Sequence, residues 1–69
     1  MSRQEHMQWC KDRALAYVGK DNQEACNSML SDLGKHDGTA PSQQMGFMLM
    51  MTVNRLDDQA VREFINGFG

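Results

Sequence analysis

Residues 45–51 read MGFMLMM: four methionines, a phenylalanine and a leucine around one glycine. No position in the run is polar, yet the whole chain has 69 residues and a net charge of −2. A domain of this length lies near the lower limit for burying a self-sufficient core. On a helix, Met45, Met48, Leu49 and Thr52 line one side, while Phe47, Met50, Met51 and Val53 point elsewhere. Such a segment is apolar nearly all round, which suits either the centre of a large core or a surface covered by another chain. Four short helices cannot surround one of their own number. Self-association through Met45, Phe47, Met48, Met50 and Met51 is therefore the leading expectation, ahead of a purely internal core or a groove for a different protein. Methionine suits such a contact because its unbranched thioether adapts to irregular surfaces.

The rest of the chain divides into helical pieces. Ser2 with Glu5 forms a capping-box pattern, and Gly19 suits a left-handed stop, so a first helix is expected over about 3–18. Met7, Cys10, Ala14, Tyr17 and Val18 fall on one stripe of it. Asp21 with Glu24 repeats the start signal for a second helix, about 22–33, with Ala25, Cys26, Met29, Leu30 and Leu33 on one face and Gly34 as its stop. So short a connection makes the two helices antiparallel. The stretch 34–41 reads as a loop, with Thr39 as the expected cap of a third helix over about 42–53. Asp57 caps a fourth, about 58–66, whose Ala60, Val61, Phe64, Ile65 and Phe68 share a face. No segment alternates with period two. The expected fold is all-α, a single domain of one helical hairpin plus two further helices, completed by oligomerisation.

Charge and cysteine content exclude several function classes. Up to Lys20 the chain carries Arg3, Lys11, Arg13 and Lys20 against Glu5 and Asp12; beyond it, acidic residues dominate. That balance does not suit duplex nucleic acid, where a basic patch should prevail. The polar start has no signal-peptide pattern, and no apolar run approaches a membrane span. A reduced, intracellular setting is expected, with Cys10 and Cys26 as small core residues. His6, Cys10 and Cys26 are the conceivable metal ligands, but no metal or other cofactor is called for. Cys10 with His36 lacks the orienting third group of a nucleophile–base pair. Asp57–Asp58 reads as helix capping rather than a catalytic carboxylate pair. No catalytic grouping stands out, and an enzyme is not expected.

Trp9 shares a helix edge with Arg13, Ala16 and Lys20. It reads first as a packing residue. Beside basic residues it is also a candidate to stack on a flat anionic ligand, with Arg13 meeting a phosphate.

Two resemblances extend this reading. Residues 9–33 resemble one tetratricopeptide-type hairpin in Trp9, Tyr17, Asp21, Glu24–Ala25 and Met29, although Asp12 and Asp32 stand where that repeat has apolar residues. Over nearly the whole chain, the order of "WCKDRAL", "SDLGKH", "LMM" and "REFINGF" resembles a family of very small proteins encoded by tailed bacteriophages. The matching positions are Trp9, Cys10, Lys11, Arg13, Ala14 and Leu15; Ser31, Asp32, Leu33, Lys35 and His36; Met50 and Met51; and Arg62, Phe64, Ile65, Gly67 and Phe68. The resemblance implies a source and a setting, the cytoplasm of an infected bacterial host, rather than a reaction. It favours a non-enzymatic binding protein aimed at a host protein, for host takeover or counter-defence. Trp9, Arg13, Tyr17, Lys20, Lys35, His36 and Arg62 are the candidate partner- or ligand-binding residues. Two alternatives stay open: an oligomeric sponge for a small anionic nucleotide signal, and a virion or assembly component.

Overall fold

A computed structural model describes residues 2–51, 53 and 56–68. Among them are four helices: α1 (Arg3–Leu15), α2 (Asn22–Leu33), α3 (Ala40–Met50) and α4 (Asp58–Asn66). Three start signals act as expected. The Ser2 hydroxyl accepts from the Glu5 amide at 3.1 Å while Glu5 accepts from the Ser2 amide at 3.3 Å, closing the capping box. Asp21 accepts from the Glu24 amide and Asp57 from the Ala60 amide, at 3.1 and 2.8 Å.

The ends differ in detail from the sequence expectation. α1 stops at Leu15, and a tighter turn carries the chain to Gly19, whose φ of 86° is the left-handed conformation foreseen there. α3 begins at Ala40 and ends at Met50; of the expected extension, Met51 is a helix cap, Val53 lies outside the helix, and Thr52 is outside the described residues. Thr39 precedes α3, but its side chain makes no capping bond. Its hydroxyl instead donates back to the Leu33 carbonyl at 2.7 Å, so a residue read as a helix start serves as the clasp on the preceding helix end.

α2 is the central element, packed against the other three helices, and α1 and α4 also touch. The antiparallel hairpin is visible in His6, from the start of α1, which bonds the backbone of Asp32 at the end of α2. The core joins Met7, Cys10 and Ala14 of α1, Ala25, Cys26, Met29, Leu30 and Leu33 of α2, and Val61, Phe64, Ile65 and Phe68 at the C-terminal end. Phe64 and Phe68 meet edge to face, 5.3 Å between centroids. Of the α1 stripe, Val18 is half-buried and Tyr17 is exposed, because α1 ends before either.

Two polar clasps position the outer helices. Asn22 accepts from the Gly19 amide and spends its amide protons on the Leu56 carbonyl and Asp58 carboxylate, at 2.6 and 2.9 Å. This fixes the start of α4 beside the hairpin turn. Gln43 of α3 donates to the Leu30 carbonyl at 2.8 Å, fixing α3 on α2. None of the described helices is long and apolar enough to cross a membrane.

Candidate functional site

The run at 45–51 resolves around its glycine. Gly46 is the only buried residue of α3, and a Cβ built there would stand 2.5 Å from Leu30 Cδ2 and 2.9 Å from Phe68 Cζ. The missing side chain is what allows α3 to lie close on the core. With Gly46 inward, the large side chains turn out: Met45 is 59%, Phe47 55%, Met48 66% and Met51 85% exposed. Leu49 is exposed to a lesser degree. Met50, expected on the same surface, instead packs half-buried against the core, together with Val53. Ala40–Met50 contains no charged residue, so this face is uncharged, with exposed Gln44 as a polar neighbour of Met48 one turn away. Contiguous exposure of this kind is characteristic of a surface that another molecule covers.

A second, polar centre forms where α1 meets the end of α2. Asp32 is buried, although it lies in the last turn of α2, where the helix dipole disfavours an anion. Both of its oxygens are engaged: Oδ2 pairs with Arg13 Nε at 3.0 Å, and Oδ1 with Lys35 Nζ at 3.1 Å. The Ser28 hydroxyl also donates to Oδ2, at 3.4 Å. Two cations thus hold a carboxylate that burial alone would make costly.

Trp9 lies beside this hub. The Arg13 guanidinium carbon sits 4.6 Å from the indole centroid, and Lys35 Nζ is 6.0 Å away. From one turn earlier, His6 stacks on the indole at 5.2 Å and on His36 at 5.0 Å, making a column of three rings. His6 is buried rather than frayed at the helix start. Its Nε2 lies 2.8 Å from the Asp32 carbonyl, which only accepts, so Nε2 carries the proton. His36 Nδ1 accepts from the Gly38 amide at 2.9 Å, and Arg3 Nε donates to the Gly38 carbonyl at 3.1 Å. The loop after α2 is thereby pinned to α1.

Of the seven candidate binding residues, the fold therefore unites Trp9, Arg13, Lys35 and His36. Tyr17, Lys20 and Arg62 are exposed, and among the described residues their side chains make no bond or ring contact with this centre. The sequence pointed to His6 only as a conceivable metal ligand and to Asp32 only within the two resemblances, and placed neither among the binding residues. A signal for Asp32 existed: an acid at a position where hairpins of this kind carry an apolar residue must either be exposed or be paired.

Both cysteines belong to the core. Both are free and fully buried. Burial, with the Asp32 charge adding to it, pushes the Cys10 thiol up to about 11, and burial likewise raises that of Cys26. At neutral pH both are protonated and weakly nucleophilic. Among the described residues no three His, Cys, Asp or Glu side chains are grouped to hold a metal ion.

Comparisons with protein-family models, with curated proteins and with solved structures return no match. The functional reading rests on the geometry of the two surfaces and on the sequence.

Proposed function

We propose that this chain is a small non-enzymatic binding protein that self-associates through the outer face of α3 and targets a protein of its bacterial host. One observation carries the first half. Gly46 is the one fully buried residue of α3 and Met50 is half-buried, whereas Met45, Phe47, Met48 and the capping Met51 are more than half exposed. Covering these four side chains returns on the order of 4–8 kcal/mol per subunit. That matches the scale of the cost of association, roughly 4–15 kcal/mol per complex. A second copy is the occupant that fits best, because a face without charge can meet itself with no like charges opposed. The host target rests on the resemblance of the four sequence motifs to small tailed-phage proteins.

Sedimentation equilibrium tests the assembly. The natural chain should show a concentration-dependent oligomer, and a Phe47→Gln/Met48→Gln variant should sediment as a monomer with an unchanged far-UV spectrum. A natural chain that stays monomeric at high concentration would refute self-association. The host target is tested by affinity capture from host lysate, in which one protein should be retained by the natural chain and lost with Trp9→Ala/Arg13→Glu.

A further inference from the structure

We propose that Arg13 and Lys35, held on the two oxygens of buried Asp32, form a docking site for an acidic segment of a protein partner. The inference rests on reading the chain as a binding protein, but not on its self-association, since the site lies on α1 and the end of α2.

The starting point is a charge imbalance. Asp32 is 2% exposed, whereas the side chains of Arg13 and Lys35 are 49% and 56% exposed. One cation suffices to neutralise a buried carboxylate, so the second leaves the cluster with a net positive charge. Neither head group is exhausted by Asp32. A guanidinium has five N–H donors and contacts Asp32 at Nε, and an ammonium has three and uses one. The remaining donors belong to half-exposed groups.

Those head groups are also preorganised. Arg13 is fixed between the Asp32 carboxylate and the Trp9 ring, and Lys35 between the same carboxylate and the approach to that ring. Holding long side chains in place before binding removes much of the ordering cost that a flexible surface cation incurs. Stability alone gives little reason for this arrangement. A buried ion pair often contributes no more than apolar residues of similar volume, and Asp32 also opposes the α2 dipole. As a positioning residue, Asp32 has a clear role: it aims two cations.

The chemistry favours a carboxylate-bearing peptide over a nucleic acid. A single strand would be held by stacking its bases on Trp9. His6 and Arg13, three residues before and four after, already lie against the indole. Glu or Asp side chains spaced along a peptide can instead take up the donors of Arg13 and Lys35 singly.

The probe is a short fluorescein-labelled oligoglutamate peptide, followed by anisotropy and by the emission of the only tryptophan. At low ionic strength the peptide should bind and perturb Trp9 emission, weakening toward about 0.15 M salt. Lys35→Gln and Arg13→Gln should each weaken binding about tenfold or more. Lys20→Gln, which removes an equal charge outside the cluster, should change it little. Should Arg13→Gln fail to fold, Lys35→Gln carries the test, because it leaves the Arg13–Asp32 pair intact. The monomeric Phe47→Gln/Met48→Gln variant should bind the peptide as the natural chain does. The proposal is overturned if the peptide does not bind at low salt, if Lys20→Gln is as damaging as Lys35→Gln, if the α3 variant loses binding, or if an oligothymidylate of matched charge binds as tightly.

Discussion

Thr39 offers a test in which sequence logic and structure predict opposite signs. As an ordinary helix cap it would be replaced by aspartate without loss, since Asp caps at least as well as Thr and its charge favours a helix start by about 0.3–1 kcal/mol. In the fold, however, Thr39 is fully buried, and its hydroxyl donates to the Leu33 carbonyl at 2.7 Å with the His36 carbonyl 3.3 Å away. An aspartate there has no proton to donate and would direct a buried carboxylate at two carbonyl oxygens. Thr39→Val keeps the shape and removes only the donor, which leaves a helix-end carbonyl short of a partner at about 1–3 kcal/mol. For a domain of this size that corresponds to a fall in Tm of roughly 5–20 °C. Thr39→Asp should cost more, on the order of 3 kcal/mol or above. That is a large share of the roughly 3–10 kcal/mol expected for so short a chain. Urea titration followed by circular dichroism measures both variants against the natural protein. A Thr39→Asp midpoint equal to or above the natural one would show that the hydroxyl acts as a cap after all.

Other consequences follow from single contacts. Gly46→Ala gains about 0.8–1 kcal/mol of helix propensity. Its methyl would press on Leu30 and Phe68, overpacking that costs about 1–3 kcal/mol, so a net loss of about 1 kcal/mol is expected in urea; a stabilised variant would show that both side chains can give way. Asn22→Leu removes the two hydrogen bonds that join the hairpin turn to the start of α4 and a third within the turn, and should raise amide exchange at the start of α4 well before that in α2; equal changes in both helices would contradict a local clasp. Because the Cys10 pKa is raised on folding, its contribution to stability is complete below the unfolded thiol's value near 9 and drains away as pH climbs toward about 11. Thiol labelling at pH 8 should accordingly be slow in the native protein and fast in denaturant. Rapid native labelling of Cys10 would mean that the thiol is not held inside.

The helices were legible because their signals are local. Ser2, Asp21 and Asp57 each satisfy amides within their own first turn, and the stripes Ala25–Leu33 and Val61–Phe68 bury themselves by helical spacing alone. What stayed hidden depends on residues far apart in sequence. Thr39 is a clasp only because α2 ends beside it. Trp9, Arg13, Lys35 and His36 were each singled out, but nothing along the chain says that Asp32 gathers the two cations or that His6 links the rings. The apolar run was informative in the same partial way. Its spacing shows an all-round apolar helix, whereas the choice of Gly46 as the inward position is made by Leu30 and Phe68.

That choice has a wider consequence. Since the closest approach of α3 to the interior is the notch at Gly46, the outward side chains Met45, Phe47 and Met48 can be exchanged for others of different bulk without retuning the packing beneath. If that face binds as proposed, close kin of this chain could change partners by altering a handful of outer positions and keeping one hydrogen atom where a methyl would be.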